Sequence, residues 1–302
     1  MQWITEAQVA TTLTPERMRE ALRAAFLDLA AGRATVLARS RAGDPQAGMV
    51  SAMGAVLPSL DVLGTKVYST RKGQFQFLVN LFAVSSGLPL ATLEANELTR
   101  LRTAATTALA VDLLAKPAAR TLAVFGTGVQ ARAHLEAVAP LRSFQEILLC
   151  TRGDGAEWLS AWAGRGLRLA SAAEAAQADV VLTCTRATEP LFDGALVRPG
   201  ALVAAVGSSK PVARELDDTL LARAGRLVVE WKTAALAEAG EFCRAAPGVV
   251  DPRRVVELGD LLAAPPAPSE GITVFKSVGI GLEDVAVAHA VWQALNAEEA
   301  PA

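Results

Sequence analysis

Residues 122–131 read Leu-Ala-Val-Phe-Gly-Thr-Gly-Val-Gln-Ala, and residues 147–152 read Ile-Leu-Leu-Cys-Thr-Arg. A buried strand, a tight glycine turn, a helix start and a second buried strand, in that order, are the layout of a dinucleotide pocket. In this reading Gly126 turns the chain sharply, Gly128 lets backbone N–H groups approach a pyrophosphate, and Ala131 permits close packing of helix on strand. The helix N-terminus then directs its unpaired N–H groups at the phosphates, with Thr127, Val129 and Gln130 completing the turn. Further apolar runs at 180–184, 201–206 and 226–230 follow those at 121–125 and 147–151, separated by helical patterns such as 155–163 and 215–223. Near-continuous apolar strands alternating with helices imply an α/β fold, a Rossmann-type doubly wound parallel sheet covered on both faces.

The end of the second strand bears on the choice of cofactor. An acid there binds the ribose 2′-hydroxyl, whereas an arginine accommodates a 2′-phosphate. This chain has Thr151 and Arg152, with no acid before Asp154. A planar guanidinium fork suits a phosphate, so NADPH is expected ahead of NADH.

At 302 residues the chain is too long for one small core and divides most naturally in two. Its 52% hydrophobic and 20% charged residues are those of a well-buried globular protein. A formal net charge of −2 offers no broad basic field for nucleic acid, and no apolar stretch reaches the roughly 20 residues that cross a bilayer. Glu6 near the N-terminus, with no cationic start ahead of an apolar core, predicts a cytoplasmic protein without a signal peptide. Cys150, Cys184 and Cys243 are scattered, forming neither a disulfide framework nor a metal knuckle, and His134 and His289 are the two histidines. No metal is expected, so chemistry must rest on lysine, arginine, hydroxyls and the cofactor.

The nucleotide unit begins only near residue 118, so the region before it needs a fold of its own. That region has a helical start at 15–31, β-like runs at 48–56, 62–69, 75–84 and 89–94, and a hairpin turn at Ser85-Ser86-Gly87. A helix over 97–115 ends at Lys116-Pro117. Beyond a Pro-rich connection at 263–268, residues 272–279 read as a strand and 281–297 as an amphipathic helix. The expected division is a discontinuous α+β domain for substrate binding and dimerisation, 1–116 with 272–302, and a dinucleotide domain, 117–271. A homodimer follows from that expectation.

Lysine occurs only at 66, 72, 116, 210, 232 and 276. Lys66 lies in the apolar run Val-Leu-Gly-Thr-Lys-Val-Tyr of 62–68, where a buried ammonium must pair with an anion or lose its proton. A substrate carboxylate or a polarised imine would meet that need; the alternative is an edge-strand lysine that guards against aggregation. Arg100 and Arg102 lie two apart on one helix and so face different directions, one towards solvent and one into a cleft, and the pattern alone does not choose between them.

Together these residues resemble the ornithine cyclodeaminase/μ-crystallin family over nearly the whole chain. The carriers are Gly-Thr-Lys-Val at 64–67, Arg-Thr-Ala-Ala-Thr at 102–106, the glycine turn at 126–131, Ala-Val-Gly at 205–207 with Arg-Glu-Leu-Asp at 214–217, and Lys-Ser-Val-Gly at 276–279. The resemblance implies that Lys66 and Arg102 bind the substrate carboxylate and polarise the reacting group. It adds an earlier arginine, for which Arg39 is chosen with Arg41 close by, and it places Val206, Gly207, Lys276 and Gly279 with the cofactor residues. One departure is informative, because the family's cyclodeaminases and alanine dehydrogenases carry a catalytic aspartate shortly after the Val-Gly of the fourth nucleotide strand. Here Ser209 stands at that place, which disfavours activation of water or ammonia by a general base. Residues 66–75 more closely resemble the family's cyclic ketimine reductases, with Ser209 left to orient the substrate nitrogen or a water. The expected substrate is a small cyclic imino acid, Δ1-pyrroline-2-carboxylate or Δ1-piperideine-2-carboxylate. The alternatives are an amino-acid dehydrogenase, an ornithine cyclodeaminase and a non-catalytic NADPH-dependent binding protein.

Overall fold

Two sheets of opposite character organise residues 1–299, which the computed structural model describes. The first belongs to a unit made of 1–106 and the chain from 279 onward. Its strands are β1 (Gln2–Ile4), β2 (Thr35–Asp44), β3 (Gly48–Leu57), β4 (Val62–Arg71), β5 (Gln74–Ala83) and β6 (Pro89–Glu94), in the order β1-β6-β5-β4-β3-β2. Strands β2 to β6 pair antiparallel, and β1 adds parallel to β6. Burial alternates along β4, with Val62, Gly64, Lys66, Tyr68 and Thr70 turned inward. That period of two marks a sheet with one packed and one open face. The helix Gly281–Glu299 lies on the packed face, where a Cβ on Gly64 would come within 3.1 Å of Val285.

Two strands of this unit escaped the sequence pattern, as did the three-residue strands Leu167–Leu169 and Val255–Glu257 of the other. Residues 2–4 are too short to show alternation, and β2 is an edge strand exposed along nearly its whole length, so no apolar period marks it. The C-terminal helix also differs from its amphipathic expectation. Leu282, Val285, Ala286, Val287, Ala288 and Val291 are buried, so the helix is apolar on most of its circumference, as a helix embedded in a core must be.

The second sheet, in the unit 107–278, is entirely parallel. Its strands are β7 (Thr121–Phe125), β8 (Glu146–Cys150), β9 (Leu167–Leu169), β10 (Val180–Thr183), β11 (Leu202–Ala205), β12 (Ala224–Val229), β13 (Val255–Glu257) and β14 (Ile272–Lys276), in the order β13-β12-β14-β11-β10-β7-β8-β9. The chain winds one way from β7 to β8 and the other way to β10, which is the doubly wound α/β arrangement with a switch point at β7. Helices Ala156–Ala161 and Asp218–Arg223 fall within the two helical patterns read from the sequence.

The boundaries between units differ from those expected. β14 had been placed with the first domain, yet it pairs between β11 and β12 and all five of its residues are buried. Its apolar side chains fill the centre of the parallel sheet, and the chain leaves the second unit only at 278/279. The earlier boundary lies at 106/107, inside the continuous helix Asn96–Leu114, rather than at 116/117. A helix without an internal breaker gives the sequence no mark at that point.

Candidate functional site

In the first unit Lys66 points inward from β4 and is 2% exposed. Its Nζ donates to Thr99 Oγ1 at 2.7 Å and to Asp284 Oδ1 at 2.9 Å. Arg102, 5% exposed on the helix Asn96–Leu114, donates through Nε to the same Asp284 oxygen at 3.0 Å and through Nη1 to Glu283. Glu283 and Asp284 are fully buried in the first turn of the helix Gly281–Glu299. Arg39 reaches in from β2 and donates through Nη2 to the Gly279 carbonyl at 2.8 Å. Gly279 has φ +70°, and a Cβ there would come 2.8 Å from the Arg102 guanidinium, so only glycine fits the turn that closes over Arg102.

Two strands and two helices thus gather Arg39, Lys66 and Arg102 around Glu283 and Asp284. Arg39, Lys66 and Arg102 stand together beside two buried carboxylates. Asp284 Oδ2 is also buried and has no hydrogen-bond partner among the described residues. Burial pushes Lys66 down to about 8; the attraction of Asp284 resists that fall, and the Arg102 and Arg39 charges add to it. A buried group of this kind favours a ligand that brings both an anion and a donor.

The cluster answers several questions the sequence left open. Lys66 had been expected to find its counter-ion in a substrate, but the protein itself supplies Asp284. Of the arginine pair, Arg102 is the buried one, while Arg100 binds Glu97 one turn back on its own helix. Arg41 is exposed, whereas Arg39 reaches the cluster. Sequence reasoning missed Thr99, Glu283 and Asp284. The available signal was a pair of acids opening a helix in which no Asp, Glu, Lys or Arg follows them until Glu298.

In the second unit Gly126 follows β7 with φ +104°, and a Cβ there would lie 2.7 Å from the Cys184 carbonyl oxygen. Gly128 is the N-cap of the helix Val129–Val138 and supplies no side-chain cap, and a Cβ placed on it would meet nothing within 4 Å. The first N–H groups of that helix therefore face an open cradle. Val129 beside it is 67% exposed, Thr127 is exposed, and Gln130 Oε1 is buried without a hydrogen-bond partner among the described residues. Ala131 is fully buried beneath. An uncapped helix start, a side-chain-free approach and an unused polar atom fit the pyrophosphate of a dinucleotide.

Thr151 and Arg152 follow β8, where Thr151 Oγ1 accepts from the Gly153 N–H at 3.1 Å and Arg152 is exposed. Val206 and Gly207 follow β11, and Ser209 is half-buried in the same loop. Two of the residues expected on the cofactor have other places. Lys276 is fully buried, donating to the Ser208 carbonyl at 2.8 Å and pairing with Glu241 at 3.1 Å, so its ammonium is spent inside the protein. Gly279 belongs to the first unit and packs on Arg102.

The sequence model of the ornithine cyclodeaminase/mu-crystallin family matches residues 2–299. The chain belongs to this family. The ketimine reductase mu-crystallin of Mus musculus is 37% identical over 256 residues, covering 81% of this chain and 80% of that protein. Among solved structures, a probable ornithine cyclodeaminase from Bordetella pertussis is 43% identical with a TM-score of 0.95, covering 100% of this chain and 99% of that one. The Δ1-pyrroline-2-carboxylate reductase of Thermococcus litoralis, in complex with NADH and L-proline, is 28% identical with a TM-score of 0.90, covering 99% and 98%. Ornithine cyclodeaminase/mu-crystallin proteins therefore include reductases as well as cyclodeaminases among the relatives of this chain, and residues of the site must discriminate between them.

Proposed function

We propose that the protein reduces cyclic ketimine acids, Δ1-pyrroline-2-carboxylate to L-proline and the six-membered Δ1-piperideine-2-carboxylate to L-pipecolate, using NADPH in preference to NADH. The observation that carries this reading is the gathering of three cations, Lys66, Arg102 and Arg39, beside an Asp284 carboxylate oxygen that makes no hydrogen bond among the described residues. A cyclic imino acid offers a carboxylate and, when protonated, an N–H donor on the adjacent atom. Lys66, Arg102 and Arg39 hold the carboxylate. Asp284 Oδ2 accepts from the ring N–H and so favours the protonated imine, the form that accepts a hydride most readily. A bound reduced nicotinamide supplies that hydride. Ser209 orients the substrate nitrogen or a nearby water and brings no carboxylate of its own, which works against the cyclodeaminase and dehydrogenase alternatives.

The preference for NADPH rests on Arg152 at the end of β8; the Thermococcus litoralis relative was solved with NADH, so the similarity supports a nicotinamide dinucleotide without choosing between the two. A homodimer is supported by the open face of the first sheet. Trp3, Leu37, Val50 and Leu78 are exposed there, on the side opposite Lys66, and a second copy laid on that face would take them out of water.

Absorbance at the nicotinamide band, followed with five- and six-membered cyclic imino acids and with 2-oxo acids plus ammonia, tests the reading. Oxidation of the dinucleotide by the cyclic acids without ammonia supports it. Turnover only with a 2-oxo acid and ammonia, or tight dinucleotide binding with no turnover, replaces it with the dehydrogenase or the binding protein.

A further inference from the structure

The segment Arg-Glu-Leu-Asp at 214–217 carries the family resemblance, yet the proposed reaction makes no use of it. Two of its charges have ordinary duties: Asp217 caps the helix Asp218–Arg223, and Arg214 pairs with Asp218. Glu215 has no such duty. It is fully buried and its carboxylate accepts four hydrogen bonds. Oε1 takes the Thr185 N–H at 2.8 Å and the Thr185 hydroxyl at 2.7 Å, and Oε2 takes the Thr183 hydroxyl and the Gly207 N–H, each at 2.8 Å. The contact is so close that a Cβ on Gly207 would collide with Glu215 and with the Thr185 backbone. The Glu215 N–H in turn donates to Glu241 Oε1 at 2.9 Å, and Lys276 links the other Glu241 oxygen, at 3.1 Å, to the Ser208 carbonyl, at 2.8 Å.

These contacts close a ring. Starting from Gly207 it runs through Glu215, Glu241 and Lys276 and returns to Ser208, the next residue in the chain. The ring grips two loops, the one after β10 and the one after β11, at the carboxyl ends of adjacent strands beside β7. In an open parallel sheet that edge is where ligands bind. A carboxylate left in a core without a ligand-facing duty is a costly way to hold two loops that an apolar contact would hold as well. We propose that Glu215 is a positioning residue for the dinucleotide: with Glu241 and Lys276 it fixes the 184–188 and 206–210 loops in the shape the bound dinucleotide requires. The inference rests on the dinucleotide half of the proposed function and not on the identity of the imino acid.

Glu215→Gln tests it. An amide has one oxygen where the carboxylate has two, so its nitrogen must face either the Thr185 N–H or the Gly207 N–H, donor against donor, and one loop is released whichever way it turns. The variant is expected to raise the dinucleotide Kd about ten- to a hundredfold, read by quenching of tryptophan fluorescence on titration with NADPH. KM for the cyclic acid at saturating dinucleotide should stay within about twofold, because Lys66, Arg102 and Arg39 are untouched. Wild-type Kd in a folded Glu215→Gln protein, with only Tm lowered, overturns the proposal. A second variant guards against failure to fold. Lys276→Met combined with Glu241→Gln removes one charge of each sign, keeps the Glu215 N–H satisfied and frees the Ser208 carbonyl, and it should raise Kd about tenfold. Unchanged Kd there is equally decisive against it. Because Kd is measured without substrate, a protein that shows these shifts yet turns over no ketimine acid overturns the substrate reading and leaves the loop clasp standing.

Discussion

Lys66 and Lys276 are both buried in apolar strands and both pair with a buried carboxylate, yet they sit in very different company. Lys276 faces Glu241 and a backbone carbonyl, and its charge is matched within its own unit. Lys66 shares one Asp284 oxygen with Arg102, has Arg39 close enough to depress its pKa, and leaves the second Asp284 oxygen unused. A buried lysine alone therefore says little. What separates the two is their company: Lys66 stands beside two further cations, Arg102 and Arg39, whereas Lys276 stands beside one carboxylate and a backbone carbonyl.

The largest effect expected from this contrast is on Lys66→Met. Removing the ammonium takes away the substrate's anion partner, and kcat/KM on Δ1-pyrroline-2-carboxylate should fall about a thousandfold or more, the loss usual for a desolvated charge pair. The dinucleotide Kd should stay within about twofold, since the glycine turn is untouched. The double variant at Lys276 and Glu241 should show the reverse, a weakened dinucleotide with substrate KM retained. If both variants lose the same parameter, the distinction between the two lysines fails.

Asp284→Asn should come next, with kcat/KM down about ten- to a hundredfold, the range for a hydrogen bond to a charged group. It also moves the pH profile in a defined direction. In the wild type the Lys66 ammonium is present below its pKa of about 8, so kcat/KM should decline as pH rises through that value. Asp284 holds the pKa up, and losing its charge should shift the declining limb to lower pH. Stability should move oppositely. The folded pKa of about 8 lies below the ordinary 10.5, so between those values the unfolded chain binds more protons and this lysine's penalty on folding disappears as pH rises. Parallel measurements of kcat/KM and Tm from pH 7 to 10 would show activity falling while the Lys66 contribution to Tm improves.

The central strands of the second unit and its glycine turn were legible in the sequence, while its three-residue edge strands β9 and β13 were not, for physical reasons. A parallel sheet buried on both faces writes unbroken apolar runs, and its glycine turn is a local device in which Gly126 and Ala131 act on neighbours a few residues away. The first unit joins residues distant in the chain. Lys66 and Arg102 could be suspected from their apolar surroundings, but Asp284 is 218 residues from Lys66, and nothing local says that the two meet. β2 hid for a related reason: an exposed edge strand has no apolar period, so Arg39 was found through resemblance and its position by the fold. β14 was recognised as a strand and assigned to the wrong unit, because strand propensity does not report which sheet supplies the partner.

A smaller effect sharpens the comparison within the second unit itself. Arg152→Asp replaces an exposed cation with the acid that would bind a ribose 2′-hydroxyl, and the ratio of KM values for NADH and NADPH should move at least about tenfold towards NADH, the change expected for one charge-assisted pair. An unchanged ratio would remove Arg152 from the site. The smallest effect belongs to Ser209→Ala. Ser209 is half-buried in a loop whose backbone the Glu215 ring already holds, so the substitution is expected to remove one neutral hydrogen bond to the substrate. Loss of such a bond costs about three- to tenfold in kcat with KM nearly constant. A thousandfold loss would instead make Ser209 the proton donor, and the division of labour between a charged first unit and a shape-holding second unit would have to be redrawn.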